Sequence, residues 1–314
     1  MTSLLETPAV AAELRRLAAD GALDLPLPGG GRTAERWSAL AGLGGRDLAL
    51  ARLAEGHTDA LAVLAEAGRR PVPGALYGVW AAKSSGTGAR LENGLLSGTV
   101  RFCSGAHLLD RALVAAGDRL VEVDLARDGI TRDDESWQAI GMAASDSADV
   151  TFHGLAVAPG EIVGAPAWYV ARPGFAHGGC GVAAVWLGGC DGVVGYVTAF
   201  LRARDHVDDH QVAHLGAMHA GTRAAEALLR QAAGAIDEGT DPDPPRTAAT
   251  CRAAVERVAT DVLDRAPKVT GPTPLCRDRD FAQRLADLLV YVRQHHAERD
   301  LAALGRTVLN GAKR

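Results

Sequence analysis

The chain has 314 residues, with 33 lysines and arginines against 38 aspartates and glutamates and a formal net charge of -5. At 47% hydrophobic and 23% charged residues it has a soluble globular composition, which excludes disorder, collagen and a disulfide scaffold. No basic surplus is available to neutralise a phosphate backbone, so nucleic acid is not expected as a partner. The length is enough for about two domains and a large core. The five cysteines form no CxxC pair and point to reduced thiols in a cytoplasm. Aromatics are only 4% and glycines number 37, so helices should pack on one another through small residues. The opening Met1-Thr-Ser-Leu-Leu-Glu6 has no basic run before an apolar one, so no signal peptide is expected.

The first third has helical spacing. Thr7-Pro8 predicts a helix start with a cap and an N1 proline, and Gly21 its end. Val10, Leu14 and Leu17 fall on one face. Two more helices are expected over Thr33–Leu43 and Asp47–Ala67, before Pro71 and Pro73 close the helical region. This gives a first domain over residues 1–74.

Between residues 75 and 167 the pattern turns to strands. Asn93-Gly94 and Gly117-Asp118 each sit between short β-type runs and predict two hairpins. No long helix interrupts this stretch, so an antiparallel barrel or sandwich is expected.

From residue 168 onward helical spacing returns, with helices expected over Gly178–Arg204, His210–Asp237, Pro245–Ala266 and Asp278–Thr307. Together they predict a bundle. The apolar stretch Gly178–Leu201 is long enough to span a bilayer. Asp191 in its middle and its many glycines favour the centre of a helical domain instead, and no membrane association is expected. The fold class is therefore α+β: a short N-terminal helical segment, a middle antiparallel β-domain and a C-terminal four-helix bundle.

Few motifs carry chemistry alone. Gly86-Thr-Gly88 precedes a hairpin rather than a helix, so it offers no dipole to a pyrophosphate. His206, His210 and His214 could share a helical face, but a polar helix start capped by Asp208 or Asp209 explains them as well, and no metal is expected. His295-His296-Ala-Glu298-Arg299-Asp300 packs imidazoles and carboxylates that suit proton transfer near neutral pH; an ion-paired surface fits equally. Phe102-Cys103-Ser104-Gly105-Ala106 could wall and hydrogen-bond a flat ring.

Several segments resemble the acyl-CoA dehydrogenase superfamily of flavoproteins. Tyr77-Gly-Val-Trp80 looks like the family's Tyr-x-Val-Thr strand. Leu96-Ser-Gly98 with Phe102-Cys-Ser-Gly-Ala106 looks like its Leu-x-Gly and Trp-Ile-Thr-Asn-Ala. Ile140-Gly-Met142, Asp149-Val-Thr-Phe-His-Gly154 and Val157-Ala-Pro159 look like its Leu-Gly-Met and Val-x-Phe signature. The resemblance implies FAD between the β-domain and the bundle, with Tyr77, Val79, Trp80, Phe102, Cys103 and Ser104 along the isoalloxazine and Arg202 toward the pyrophosphate. It also implies an acyl thioester substrate, an electron-transfer flavoprotein as a possible partner and a homo-oligomer.

The chain departs from the family in three places. Trp80-Ala-Ala-Lys-Ser-Ser-Gly86 replaces its Thr-Glu-Pro and Gly-Ser turn, and its Arg-x-x-Phe-Gly is missing. Gln294 stands where the family writes its catalytic glutamate. Three functions follow from the resemblance. The first is FAD-dependent α,β-oxidation of the thioester, with His296, His295 or Glu298 as the base and His296 narrowly preferred. The second is a flavin monooxygenase using Arg293-Gln-His295, and the third is a degenerate partner-binding subunit.

Overall fold

The computed structural model describes residues 6–82 and 86–311, so Lys83, Ser84 and Ser85 of the substituted turn lie outside the described residues. Helices α1 (Thr7–Ala19), α2 (Thr33–Arg46) and α3 (Leu48–Glu66) form the N-terminal region. Helix α1 begins at Glu6 without a side-chain cap, so Thr7 is inside the helix rather than its cap. Asp47 caps α3 by accepting from Leu50 N at 2.9 Å, and this tight cap lets α2 turn directly into α3.

Strands β1 (Tyr77–Trp80), β2 (Arg90–Glu92), β3 (Leu95–Cys103), β4 (Arg111–Ala116), β5 (Arg119–Asp124), β6 (Ile130–Asp133), β7 (Ala148–Ala156) and β8 (Ile162–Val163) form two four-stranded sheets. Their orders are β1-β4-β5-β8 and β2-β3-β7-β6. All pairings are antiparallel except β1 with β4, which is parallel. Both hairpins form where the turn residues stand. Asn93 and Gly94 have φ of 52° and 75°, the left-handed pair that a tight hairpin turn requires. A bulge between Val100 and Cys103 interrupts the β3–β7 ladder and leaves Phe102 at a φ of 61°. Bulges re-aim side chains in this way.

The C-terminal region contains α4 (Trp168–Ala171), α5 (Gly174–Arg202), α6 (Asp209–Asp237), α7 (Pro244–Thr270), α8 (Pro272–Arg277), α9 (Arg279–Tyr291) and α10 (Glu298–Gly311). Helix α5 is apolar enough to cross a membrane by length and composition, and here it is the central helix. It packs against α2, α3, α6, α7 and α9 and is buried along most of its length. Asp208 caps α6 reciprocally with Gln211, and His206 lies before that helix. Helix α7 continues past Pro267 and stops at Gly271, which has a φ of 71°.

Small residues decide how closely α5 approaches α2. A Cβ on Gly188 would sit 2.0 Å from the Ala41 carbonyl oxygen, and one on Gly44 would sit 2.3 Å from that of Val185. Backbone meets backbone at this crossing, and any side chain would push the helices apart. We predict that Gly188→Val lowers stability by at least about 3 kcal/mol in urea titration, as overpacking does. Gly216 meets nothing within 4 Å, so Gly216→Ala should instead raise stability by about 1 kcal/mol.

Helix α3 joins the bundle to the β-region. Its Leu50, Leu53 and Ala54 pack into the sheet core, and Ala60, Val63 and Leu64 pack around Tyr77. His57 is 4% exposed and accepts the Tyr77 backbone N–H through Nδ1 at 3.1 Å. Burial pushes its pKa down to about 4 from 6.5. The unfolded chain therefore binds a proton below about pH 6.5 that the folded chain takes up only below about pH 4. Stability from this group is present above pH 6.5 and is lost as pH falls through that window, by about 3 kcal/mol. His57→Gln, which keeps an acceptor but does not titrate, should flatten that part of the urea-midpoint profile between pH 7 and pH 4.

Candidate functional site

Alternation along β1 separates the residues expected to line a flavin. Tyr77 and Val79 face α3 in one cluster, whereas Trp80 faces the core between the sheets. Tyr77 is fully buried, with its hydroxyl donating to Glu122 Oε1 at 2.8 Å and accepting from Val72 N. Cys103 is also fully buried, with its thiol donating to the Val100 carbonyl; burial raises its pKa. Tyr77 and Val79 therefore do not share a face with Trp80, because successive residues of a strand point to opposite sides, whereas Cys103 lies with Trp80 in the core between the sheets.

What remains is a smaller wall. The Phe102 ring is 54% exposed. Trp80 is buried in the core, its Nε1 donating to the Ser104 carbonyl at 3.1 Å. Ser104 is half-buried, and its Oγ accepts from the Ser147 hydroxyl at 3.1 Å, which leaves the Ser104 proton to donate elsewhere. Gly105 holds this corner at a φ of 71°. A Cβ there would strike Leu109 at 2.6 Å and Leu53 of α3 at 3.0 Å. The serine-bearing loop is tied to the bundle, because Met142 N donates to Asp287 of α9 at 2.5 Å. Burial raises the Asp287 pKa to about 6.

A second group of buried charged side chains was not anticipated from the sequence. Arg52, Glu55 and Asp59 lie on the α3 face turned toward the bundle. Glu55 is 4% exposed. It pairs with Arg52 Nη1 at 2.5 Å and is hydrogen-bonded to Asp59 one turn on. Arg36, also buried, reaches Asp59 at 2.8 Å. Burial pushes the Glu55 pKa up to about 7; Arg52 opposes the shift and Asp59 adds to it. Arg52 Nε is buried and has no hydrogen-bond partner among the described residues.

The bundle brings further groups to this face. Trp186 of α5 and Tyr291 of α9 meet edge to face at 6.2 Å, and the Trp186 Nε1 and Tyr291 Oη are likewise buried without partners. The Arg252 guanidinium of α7 lies 4.6 Å from the Trp186 ring centroid. Arg52, Glu55, Asp59 and Arg252 all act on Tyr291 electrostatically, and burial raises its pKa. A charged i, i+3, i+7 stripe inside an otherwise apolar helix was the available signal, and alone it reads as a solvated face.

The terminal segment also departs from the expected helix over Asp278–Thr307. Helix α9 ends at Tyr291, Val292–Gln294 form a 3-10 turn, and His295 is extended at φ -85° and ψ 121°. Ala297 has a φ of 44°. The helical-face relation expected between His295 and Glu298 therefore does not exist. Two contacts impose the break: Arg252 Nη2 donates to the Gln294 carbonyl at 3.0 Å, and Asp300 accepts from His296 N at 2.9 Å.

As a result His295 is turned inward, 3% exposed, with its Nδ1 lacking a partner among the described residues. Desolvation lowers its pKa. His296 is largely exposed and paired with Asp300. Glu298 and Gln294 are exposed. Arg202 ends α5 in an open groove of about 670 Å³ between α5 and α6, with Asp191, Thr198, His219 and Arg223.

Comparison with known proteins agrees with this architecture. Residues 168–292 match the model of the acyl-CoA dehydrogenase C-terminal domain. A 91-residue stretch is 35% identical to dibenzothiophene monooxygenase of Rhodococcus erythropolis, covering 24% of this chain. That stretch spans only 20% of the curated relative's length. FMN-bound TdsC from Paenibacillus sp. A11-2 is 19% identical and superposes with a TM-score of 0.82 over 98% of this chain and 92% of its own. Butyryl-CoA dehydrogenase from Megasphaera elsdenii is 18% identical, with a TM-score of 0.72 over 86% of this chain and 80% of its own. Residues 168–292 thus match the acyl-CoA dehydrogenase C-terminal domain, and the chain as a whole has the fold of these flavoprotein structures.

Proposed function

We propose that the protein is a flavin-dependent monooxygenase that uses FMN. One observation carries the reading: the terminal segment delivers a buried histidine, not a carboxylate. α,β-Oxidation of a thioester needs a base for the α-proton. Gln294 has no proton affinity to offer, and Glu298 and His296 are exposed. His295 is buried and held in place through Arg252 on the neighbouring carbonyl. The similarity to dibenzothiophene monooxygenase and the fold shared with an FMN-bound structure support the same choice over FAD-dependent dehydrogenation.

The β-side wall fits a flavin. Phe102 holds a left-handed backbone with its ring uncovered, a costly conformation for a bulky residue that is most often kept at a binding site. Ser104 has a proton free to donate beside it. A bound reduced flavin supplies two electrons to dioxygen, so that one oxygen atom enters the substrate and the other leaves as water. The chain's own part is to position and to move protons. His295, neutral at pH 7 because of its burial, can donate or accept one.

The test is isotopic. Protein loaded with FMN, reduced anaerobically and mixed with ¹⁸O-labelled dioxygen should place label in an accepted substrate. Formation of enoyl thioester without dioxygen would overturn the reading. His295→Ala should lower labelled product by about 10²- to 10⁴-fold and leave FMN affinity unchanged. His296→Ala should stay within about twofold of wild type. Ser104→Val should weaken FMN binding about tenfold, the equivalent of one lost hydrogen bond of about 1.4 kcal/mol, read by flavin fluorescence quenching.

A further inference from the structure

The inner cluster has more positive charge than its carboxylates balance. Arg36 is matched by Asp59, and Arg52 by Glu55. Among the described residues Arg252 meets only the carbonyls of Gly179 and Gln294 and the face of Trp186. No carboxylate among the described residues lies within ion-pair distance of it, and its burial depresses its pKa. Around it the Arg52 Nε, the Trp186 Nε1 and the Tyr291 Oη are buried and unpaired. The first two of these can only donate. A buried donor left unsatisfied is costly, and a buried cation without a counter-charge more so.

An apolar sulfur heterocycle would answer none of these groups. A ligand with acceptor oxygens and a negative charge would answer all of them. From this juxtaposition we infer that the site between α3, α5, α7 and α9 takes a compact organic anion, an aromatic carboxylate or enolate, as its substrate class. The anion pairs with Arg252 and accepts from Arg52, Trp186 and Tyr291. This rests on reading the cluster as the substrate side of the proposed flavin site. Glu55 gives the inference a signature. Glu55 holds a proton close to neutral pH, and an anion bound beside it disfavours its charged form. Binding at pH 7.5 should therefore take up a proton.

The experiment is calorimetric titration with two matched probe pairs, 1-naphthoate with 1-naphthamide and benzoate with benzamide, in buffers of different ionisation enthalpy. At least one carboxylate should bind about tenfold or more tightly than its amide, with proton uptake. Arg252→Gln should abolish the preference. Tyr291→Phe should weaken the carboxylate by about tenfold, and Glu55→Gln should remove the proton uptake while leaving binding. Melting curves show whether each variant is folded, and the four wild-type titrations decide the matter independently of any variant.

Equal affinity for acid and amide in both pairs, or no binding of either acid, would overturn the inference. The titrations are repeated after FMN saturation. An anion preference in a protein that binds no flavin leaves the anion site standing and removes the monooxygenase reading. Flavin binding without the preference removes the anion site alone.

Discussion

Helix α3 must satisfy two incompatible environments, and the rest of the molecule is arranged around that constraint. One side lies under the β-sheets and is apolar except for His57, which stays neutral to accept the Tyr77 amide. The other side carries Arg52, Glu55 and Asp59 into the bundle. Ions there are tolerable only because each has a partner at hydrogen-bond distance. Arg36 from α2 supplies one of those partners, so the close α2–α5 crossing at Gly44 and Gly188 serves the charge ladder as well as the core. Were α2 to move outward, Asp59 would lose its counter-ion.

The two sides of α3 titrate in opposite senses. His57 favours folding at higher pH. Glu55, with its pKa pushed up to about 7, favours folding below its unfolded value of 4.5, and that contribution is lost as pH rises toward 7. Two residues apart in sequence, they share one helix but not one environment. Glu55 stands inside a helix bundle, where its neighbours fix its proton. That makes it a group able to respond to a charged ligand.

The fold was legible wherever local chemistry decided the outcome. Asn93-Gly94 forms a hairpin because its backbone must be left-handed, and Asp208 with Gln211 caps α6 reciprocally. The apolar period of α5 announced a central helix. The opposite facing of Tyr77 and Trp80 was not read from the sequence, because a family motif names positions in order whereas a strand sends alternate residues to opposite faces. The break at His295 could not be read from Arg293-Gln-His-His-Ala-Glu298, which contains neither proline nor glycine. It is held by Arg252 on the Gln294 carbonyl and by Asp300 on the His296 amide. Arg252 itself, in a helix with many other arginines, carries no mark of its role in the sequence.

Arg252 thus links two features that look separate. Through the Gln294 carbonyl it turns the chain so that His295 is inside and His296 is outside. Through its position over Trp186 it places a positive charge among donors that lack partners. A lysine could not do both, because the planar guanidinium stacks on the indole while its edge bonds the carbonyls. The histidine's position and the charge of the inner cluster are therefore both tied to one side chain. A change at residue 252 must alter them together, whereas changes at Tyr291 or Arg52 alter the cluster alone.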